Sequence, residues 1–251
     1  MTGIPWREKF DCVAALRCTS CADRAKSMDE ELARVGLKPD IVVWSLPDDV
    51  VERSARRTMR CVPLVTKAGY ASNTFGHYRL MRAAYDLGAR RVLVVEDDVR
   101  FLSDMDRLAE IVGNLPDVAI TMFDLLADGS PRPTYAEIRR MLETSAAGGW
   151  AVPQAHPCST SCIGLTRSGM ETFLAPLCKA FSGAGRFDVI DGYNRAPYRP
   201  ASEVRCAWPL AAVQVPFDRS RSCTATVFGD DCQGLWYRSL GLSMDDYGGA
   251  R

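Results

Sequence analysis

The chain has 251 residues, which is enough for one large domain with a sizeable hydrophobic core. Lysine plus arginine and aspartate plus glutamate each number 31, so no global charge favours nucleic acid or an anionic membrane. No apolar run approaches the roughly 18 residues of a membrane span, and residues 1–11 lack the apolar core of a signal peptide. We therefore expect a cytoplasmic protein that has no transmembrane segment and does not bind nucleic acid.

The first part of the chain predicts a strand, a helix and a second strand. Residues 10–16 and 41–44 are apolar and short enough for strands. Between them, residues 22–35 carry apolar side chains at helical spacing, namely Ala25, Met28, Leu32 and Val35. Strand, helix and strand at this spacing predict a parallel crossover unit. Arg24 lies at the start of the helix, where it either reaches a diphosphate or pairs with an acid.

A charged segment and a long helix follow. Residues 48–67 contain four arginines within eight positions, namely Arg53, Arg56, Arg57 and Arg60. These arginines form either a solvated helix face or a patch that faces an anionic acceptor or a membrane. Residues 69–88 predict the next helix, with Ser72 or Asn73 as its N-cap and Gly88 as its C-terminal stop.

An apolar strand that ends in three acids comes directly after this helix. Val92-Leu93-Val94-Val95 predicts a buried strand, and Glu96-Asp97-Asp98 ends it. Ligands collect at the carboxyl ends of strands in open α/β sheets. Because strand side chains alternate, we expect Glu96 and Asp98 to share one side, where they suit a hard divalent cation, and Asp97 to point to the other. The alternative is a solvated acidic turn.

The rest of the chain predicts further helices and strands. We expect a helix over residues 103–112 capped by Ser103, a strand over 118–126 that carries Asp124, and a helix over 168–181 capped by Ser168. Residues 145–157 form a small-residue loop that is long enough to cover an acceptor. The alternation of predicted strands and helices over residues 1–215 predicts an α/β fold with a mostly parallel central sheet flanked by helices. Residues 216–251 predict a polar tail that packs on this domain or extends from it.

Ten cysteines are scattered along the chain without a framework spacing. In a protein with no export signal, free thiols are the default expectation. Cys18 with Cys21, and Cys158 with Cys162, nevertheless offer four thiolates for zinc. A zinc-stapled interaction module is therefore an alternative to an enzyme.

Residues 10–215, and most strongly residues 69–101, resemble the core of the family 25 glycosyltransferases, which include lipopolysaccharide sugar transferases and collagen galactosyltransferases. The matching segments are His77-Tyr78-Arg79-Leu80, the turn Gly88-Ala89-Arg90-Arg91 and the strand Val92–Val99 with its three acids. The segment at residues 69–73 and Gly76 depart from the family pattern. The resemblance implies a GT-A-like nucleotide-binding domain, a UDP-hexose donor with galactose as first choice, and Mn²⁺ or Mg²⁺ at Glu96 and Asp98.

The resemblance also implies roles for single residues. Donor-binding residues would be Arg24, Asn73, His77, Asp97 and Asp124. Asp191 is the first choice for the general base that activates the acceptor hydroxyl and Asp188 the second, whereas the structural alternative for either is a cap.

The implied reaction is inverting, metal-dependent transfer of a hexose to a glycan or a lipid-linked saccharide, as in lipopolysaccharide biosynthesis. Such an enzyme would be cytoplasmic, or peripheral to the inner membrane face through the four arginines. A nucleotidyltransferase is a further alternative, but it should carry a glycine-rich phosphate loop after the first strand, and residues 17–24 contain no glycine.

Overall fold

The computed structural model describes residues 3–19, 22–45, 68–127, 135–153, 157–182, 203–214, 237 and 240–247. Its helices are α1 (Trp6–Lys9), α2 (Ala22–Arg34), α3 (Ala68–Asp86), α4 (Met105–Gly113), α5 (Tyr135–Ser145), α6 (Arg167–Phe181) and a 3₁₀ helix at Met244–Tyr247. Its strands are β1 (Cys12–Arg17), β2 (Ile41–Trp44), β3 (Arg91–Glu96), β4 (Val99–Phe101), β5 (Ile120–Met122), β6 (Leu126–Ala127), β7 (Trp150–Ala151), β8 (Pro157–Cys158), β9 (Cys162–Thr166), β10 (Val204–Ala207) and β11 (Ala212–Gln214).

A seven-stranded sheet with the order β2-β1-β3-β9-β5-β10-β7 forms the centre of the fold. Strand β1 pairs in parallel with β2 and β3, and β5 pairs in parallel with β10. Strand β9 is antiparallel to both β3 and β5, and β7 is antiparallel to β10. Five strands therefore run in one direction, which confirms the predicted α/β fold with a mostly parallel sheet flanked by helices.

The predicted crossover unit is present at the start of the chain. Strands β1 and β2 are parallel neighbours, with Ala14 beside Ile41 and Arg17 beside Trp44. Between them, α2 buries the apolar stripe that its periodicity predicts, namely Ala25, Met28 and Leu32. This unit places the carboxyl ends of β2, β1 and β3 side by side at one edge of the sheet.

An aromatic cluster forms part of the core between the sheet and its covering elements. Trp6, Phe10, Phe101, Phe123 and Trp150 make ring contacts with centroid distances of 5.3–6.3 Å. The indole N–H of Trp150 donates to the Ile111 carbonyl at 2.9 Å, so the buried ring also satisfies its polar atom. Part of the predicted loop of residues 145–157 is therefore strand β7 at the sheet edge, with Trp150 and Ala151 in the core, and residues 154–156 lie outside the described residues. That this loop covers an acceptor stays a prediction.

Several predicted helix starts are displaced by a few residues. Ser72 and Asn73 lie inside α3, which begins at Ala68, so neither is its N-cap. Helix α4 is capped by Asp104 rather than Ser103, because the Asp104 carboxylate accepts from the Arg107 N–H. Helix α6 is capped in the same way by Thr166 rather than Ser168.

The described part of the C-terminal segment packs against the main domain. Tyr237, Leu240 and Tyr247 are almost completely buried. The Tyr247 hydroxyl donates to the Leu210 carbonyl at 2.7 Å, and the Asp246 carbonyl accepts from the Ser103 N–H at 2.7 Å. Within the described ranges, no helix is both long enough and apolar enough to cross a membrane.

Candidate active site

The three acids that follow the central strand form a tight turn. Strand β3 ends at Glu96, Asp97 and Asp98 make the turn, and β4 begins at Val99. The side chains after Glu96 therefore no longer alternate as they would in a strand. Asp97 and Asp98 both contact one guanidinium nitrogen, Nη2 of Arg24, at 2.6 and 2.7 Å. This corrects the expectation that Asp97 points away from Asp98.

Helix α2 carries Arg24 in its first turn and presents it to the acidic turn. The Arg24 side chain is only 10% exposed, and its guanidinium lies between the Asp97 and Asp98 carboxylates. Of the two roles that the sequence left open for Arg24, the structure shows the pairing with acids. Its contact with a diphosphate stays a prediction.

Asp97 connects the acidic turn to the end of the neighbouring strand. One of its carboxylate oxygens accepts from the backbone N–H of Cys18 at 2.6 Å, and the other contacts Arg24. Burial raises the pKa of Asp97, although Arg24 and the Cys18 N–H oppose that rise. Because both oxygens have protein partners, Asp97 orients the loop between β1 and α2.

Glu96 is held by two side chains from different elements. Its Oε1 lies 2.9 Å from Nε2 of His77 in α3, and it accepts from the Thr160 hydroxyl at 3.2 Å. Burial acts to raise the pKa of Glu96, but the hydrogen bond of His77 and the charge of Arg24 bring that pKa below its ordinary value. Glu96 is therefore an oriented carboxylate anion at the sheet edge.

Asp98 carries a carboxylate oxygen that lacks a partner. Its Oδ1 is buried and makes no hydrogen bond within the described part of the chain. Burial, opposed by Arg24 and reinforced by the charges of Glu96, Asp97 and Asp124, raises the pKa of Asp98 to about 7. A buried carboxylate with a raised pKa and a bare oxygen binds either a proton or an added cation.

A second buried carboxylate, Asp124, lies just beyond β5. It accepts from the hydroxyls of Ser161 at 2.6 Å, Ser159 at 3.0 Å and Tyr237 at 3.0 Å. Burial raises the pKa of Asp124 to about 6, against the effect of these hydrogen bonds. The structure thus gives Asp124 a set of protein partners, whereas its predicted donor contact stays a prediction.

Three hydroxyl residues that contact these acids were not predicted from the sequence. Ser159, Thr160 and Ser161 lie between Cys158 and Cys162, and the spacing of those two cysteines indicated zinc as an alternative. In the structure, all three hydroxyl residues are buried and bind Glu96 or Asp124. Three consecutive hydroxyl residues directly before an apolar strand were the signal that sequence contained.

Only two of the four cysteines of the zinc alternative, Cys18 and Cys162, have described side chains, so the zinc site stays a prediction. Cys162 is completely buried in β9, and burial raises the pKa of its thiol well above the ordinary value. Cys21 and the side chain of Cys158 lie outside the described residues. Among the residues that are described, no three histidine, cysteine, aspartate or glutamate side chains form a group that could hold a metal ion.

The remaining predicted site residues divide between α3 and parts that are not described. Asn73 is half-buried in α3, one turn before the completely buried His77. Both candidate bases, Asp188 and Asp191, lie outside the described residues, as do the four arginines of residues 53–60 and His156.

The acidic turn fits one common mode of divalent-cation binding. Mg²⁺ and similar hard ions often bind through one or two carboxylates and take their other ligands from water and substrate phosphates. Glu96 and Asp98 are two carboxylates at one turn, and Asp98 Oδ1 is buried without a hydrogen-bond partner among the described residues. These residues therefore suit an ion that a diphosphate completes, whereas the described residues provide no all-protein cage.

Comparisons with known proteins show weak structural likenesses. No family model matches the sequence, and no curated protein is similar to it. The chain is similar to the solved structure of a mannose-1-phosphate geranyltransferase from Thermus thermophilus, with 13% identity, a TM-score of 0.38, and coverage of 78% of this chain and 73% of that one.

Two other solved structures give comparable values. The glycosyltransferase GlyE of Streptococcus pneumoniae is 9% identical over 93% of this chain and 62% of that one, with a TM-score of 0.43. Mouse xyloside xylosyltransferase 1 is 15% identical over 72% and 67%, with a TM-score of 0.29. All three TM-scores are below 0.5, so these likenesses do not indicate a function.

Proposed function

We propose that the protein is a nucleotide-sugar-dependent glycosyltransferase. In this proposal it moves a hexose, galactose being the first choice, from a UDP-sugar to a hydroxyl of a glycan or a lipid-linked saccharide. The observation that carries the proposal is the acidic turn, where Glu96 and Asp98 end the central strand and Asp98 keeps a buried oxygen without a described partner. Such a turn lies where open α/β sheets bind their ligands.

The charge balance of the turn favours a cationic complex of a diphosphate. The charges of Glu96, Asp97 and Asp124 all act on Asp98, and Arg24 contacts Asp97 and Asp98, so negative charge is in excess around Asp98. Burial is the main cause of the raised pKa values of Asp97, Asp98 and Asp124, and neighbouring carboxylates add to it at Asp97 and Asp98. A divalent cation held by Glu96 and Asp98 would relieve that excess and supply positive charge to the leaving diphosphate.

The surrounding residues orient the two acids. His77 and Thr160 hold Glu96, while Arg24 holds Asp98. Arg24 already lies at this site, so its guanidinium is also within reach of added negative charge on a bound donor. Fixed donors and charges that need no reorganisation during the reaction are the usual basis of such catalysis.

The proposed reaction is a single displacement. The acceptor oxygen forms a bond to the anomeric carbon while the bond from that carbon to the diphosphate breaks, so the anomeric configuration is inverted. The proton of the acceptor hydroxyl passes to a carboxylate. Asp191 is the proposed base and Asp188 the second choice.

A binding titration tests the proposal. We expect UDP to bind the protein of residues 1–251 in the presence of Mn²⁺, and Glu96→Gln or Asp98→Asn to weaken that binding by about tenfold or more. Asp117→Asn is the matched control, because Asp117 is 97% exposed and pairs with Arg91 at the opposite end of the same strand. Its binding of UDP should equal that of the wild type.

A panel of nucleotide sugars then identifies the donor through its hydrolysis or transfer. If no nucleotide sugar binds, with or without Mn²⁺, the proposal is wrong. One tightly held zinc per chain would favour an interaction module, and release of pyrophosphate from UTP and a sugar phosphate would favour a nucleotidyltransferase.

A further inference from the structure

An exposed tryptophan lies on the edge strand beside the proposed site. In β2, Val43 points into the core, whereas Val42 and Trp44 on either side of it are each 43% exposed. Buried and exposed side chains thus alternate, as in a strand that has one face against the core and the other towards solvent. Trp44 is the last residue of β2, so its indole lies at the carboxyl end of the strand.

The strand register places Trp44 level with the acidic turn. Arg17 pairs with Trp44, and the preceding residue of β1, Leu16, pairs with Glu96 of β3. Adjacent strands are about 4.8 Å apart, so two strand spacings separate the Trp44 backbone from the acidic turn by about 10 Å. Trp44 and Arg17 are therefore neighbours at the ends of β2 and β1, and the acidic turn begins at the same level, one residue after Glu96.

Hydrogen bonds join these strand ends into one continuous surface. The Cys18 N–H donates to Asp97 at 2.6 Å, and the Ser45 N–H donates to the Arg17 carbonyl at 2.7 Å. The Thr19 N–H donates to the Ser45 hydroxyl at 3.1 Å. Trp44 and the acidic turn are thus held at a fixed separation.

One arginine lies at the Trp44 ring and a second at its backbone, and the first of them, Arg17, also pairs with Asp29. The Arg17 guanidinium lies 5.7 Å from the Trp44 ring centroid in a cation–π arrangement. Arg79, from α3, reaches the Trp44 carbonyl with a nitrogen-to-oxygen distance of 3.4 Å. An aromatic face with flanking cations suits a planar base that carries an anionic phosphate group.

We infer that Trp44 is the platform on which the nucleobase of a nucleoside diphosphate stacks while its phosphates reach the acidic turn. This inference rests on the proposed function and adds the subsite for the base. Aromatic stacking accepts every base, because every base has a π face. Trp44 therefore supplies affinity for nucleoside diphosphates as a class and does not select uracil over other bases.

Calorimetric titrations with UDP and with inorganic pyrophosphate, both with Mn²⁺, separate the base from the phosphates. Trp44→Ala should weaken UDP binding by about tenfold or more and leave pyrophosphate binding unchanged, because pyrophosphate has no base to stack. Val42→Ala is the matched control, since Val42 is equally exposed on the same face of the same strand. It should bind both probes as the wild type does.

Tryptophan fluorescence gives a second measurement on a conservative variant. UDP should quench the emission of the wild type, and Trp44→Phe should lose that quenching while keeping most of the affinity, because phenylalanine also stacks. This variant decides the question if Trp44→Ala fails to fold.

The outcomes distinguish the two proposals. If UDP binds the wild type and requires Glu96 and Asp98, but Trp44→Ala binds UDP equally well, the platform is wrong and the glycosyltransferase proposal stands. Equal loss of UDP and pyrophosphate binding in Trp44→Ala would likewise overturn the platform. If neither probe binds the wild type, both proposals fail.

Discussion

Arg24 contacts Asp97 and also Asp98, which is one of the two proposed cation ligands, so it competes with an added cation for Asp98. Replacing it with glutamine removes this competing charge. We expect Arg24→Gln to bind Mn²⁺ several times to about tenfold more tightly without nucleotide, because the carboxylates lose their internal counter-ion. With saturating Mn²⁺, UDP binding should weaken, since the diphosphate loses a cationic partner.

Electron paramagnetic resonance of free Mn²⁺ measures the first effect, and calorimetry with UDP measures the second. Arg82→Gln is the control, because Arg82 is 51% exposed on α3 and pairs with Asp86. Weaker Mn²⁺ binding by Arg24→Gln than by the wild type would contradict the competition.

The raised pKa of Asp124 predicts how the stability of the protein depends on pH. Its pKa is about 6 in the folded protein and ordinarily near 3.8, so between these values the folded state binds the extra proton. Stability from this group is fully present below about pH 4 and is lost as the pH rises through 6, a change of about 2 to 3 kcal/mol. Asp124→Asn removes the proton exchange and should remove this loss.

The measurement is the difference in unfolding free energy between wild type and Asp124→Asn from pH 4 to pH 7. Folding lowers the pKa values of Asp11 and Asp40, so their effect on stability has the opposite dependence on pH. That effect is the same in both proteins and cancels in the difference between their unfolding free energies. The negative charge of Asp124 also raises the pKa values of other groups, namely Asp98, Cys162, Cys206, Tyr237 and Tyr247. A difference that does not change with pH would show that Asp124 keeps an ordinary pKa.

At the residue scale, local patterns or the family resemblance predict that Glu96, Asp98, Arg24 and His77 belong to one site. The structure places Arg24 against Asp98 and His77 against Glu96, whereas the roles of these four residues stay predictions. The contacts of Asp124 with Ser159 and Tyr237 could not be predicted, because they join residues 35 and 113 positions apart. No local pattern specifies such pairs.

Helix α6 packs against its neighbour at Gly169 with no room for a side chain. A Cβ at Gly169 would lie 2.2 Å from the Ala119 carbonyl oxygen, and backbone atoms cannot move aside as a flexible side chain can. We expect Gly169→Ala to lower the free energy of unfolding by about 1 to 3 kcal/mol or more. Chemical denaturation measures this change.

Gly113 provides the control for the same substitution in another helix. It is the last residue of α4, and a Cβ there would meet nothing within 4 Å. Gly113→Ala should be neutral or stabilising by about 0.5 to 1 kcal/mol, because alanine favours helix. Equal destabilisation by both substitutions would mean that the close packing at Gly169 does not matter.

At the scale of elements, periodicity predicted α2 and its two flanking strands closely. Helix starts were less well predicted, because several polar residues compete as caps and tertiary packing decides among them. For α4, Ser103 and Asp104 are adjacent candidates, and only the contact with the Arg107 N–H distinguishes them. The predicted alternation of side chains from Glu96 to Asp98 was also wrong. Asp97 and Asp98 form a turn after the strand, and both contact Arg24.

At the scale of the whole molecule, residues from the C-terminal segment form part of the hydrophobic core. Tyr237 and Tyr247 are no more than 2% exposed, and the Tyr237 hydroxyl accepts from the Gln214 N–H and donates to Asp124. We expect a chain that ends at residue 215 to lose its cooperative unfolding transition, because losing a buried aromatic side chain costs about 3 to 5 kcal/mol. Near-ultraviolet circular dichroism during heating tests this.

Tyr237→Phe isolates the hydroxyl from the ring. It should fold and lose only about 1 to 3 kcal/mol, because Asp124 and Gln214 lose this partner while the ring stays buried. A shortened chain as stable as the full-length protein would show that the segment is a dispensable tail.

The order of the strands could not be predicted from sequence. Strand alternation with helices favours a parallel sheet, and most of the sheet follows that expectation. Strand β9, however, lies antiparallel between β3 and β5, and its position depends on pairing with residues about 40 to 70 positions earlier. Local patterns carry no information about such pairing.

The insertion of β9 has a consequence for biosynthesis. Thr160 reaches back 64 positions to Glu96, and Tyr237 reaches back 113 positions to Asp124. During translation, the acids therefore leave the ribosome long before the hydroxyls that bind them. A nascent chain gains this arrangement only after residue 237 has been made, so a product that stops earlier has no complete set of site contacts.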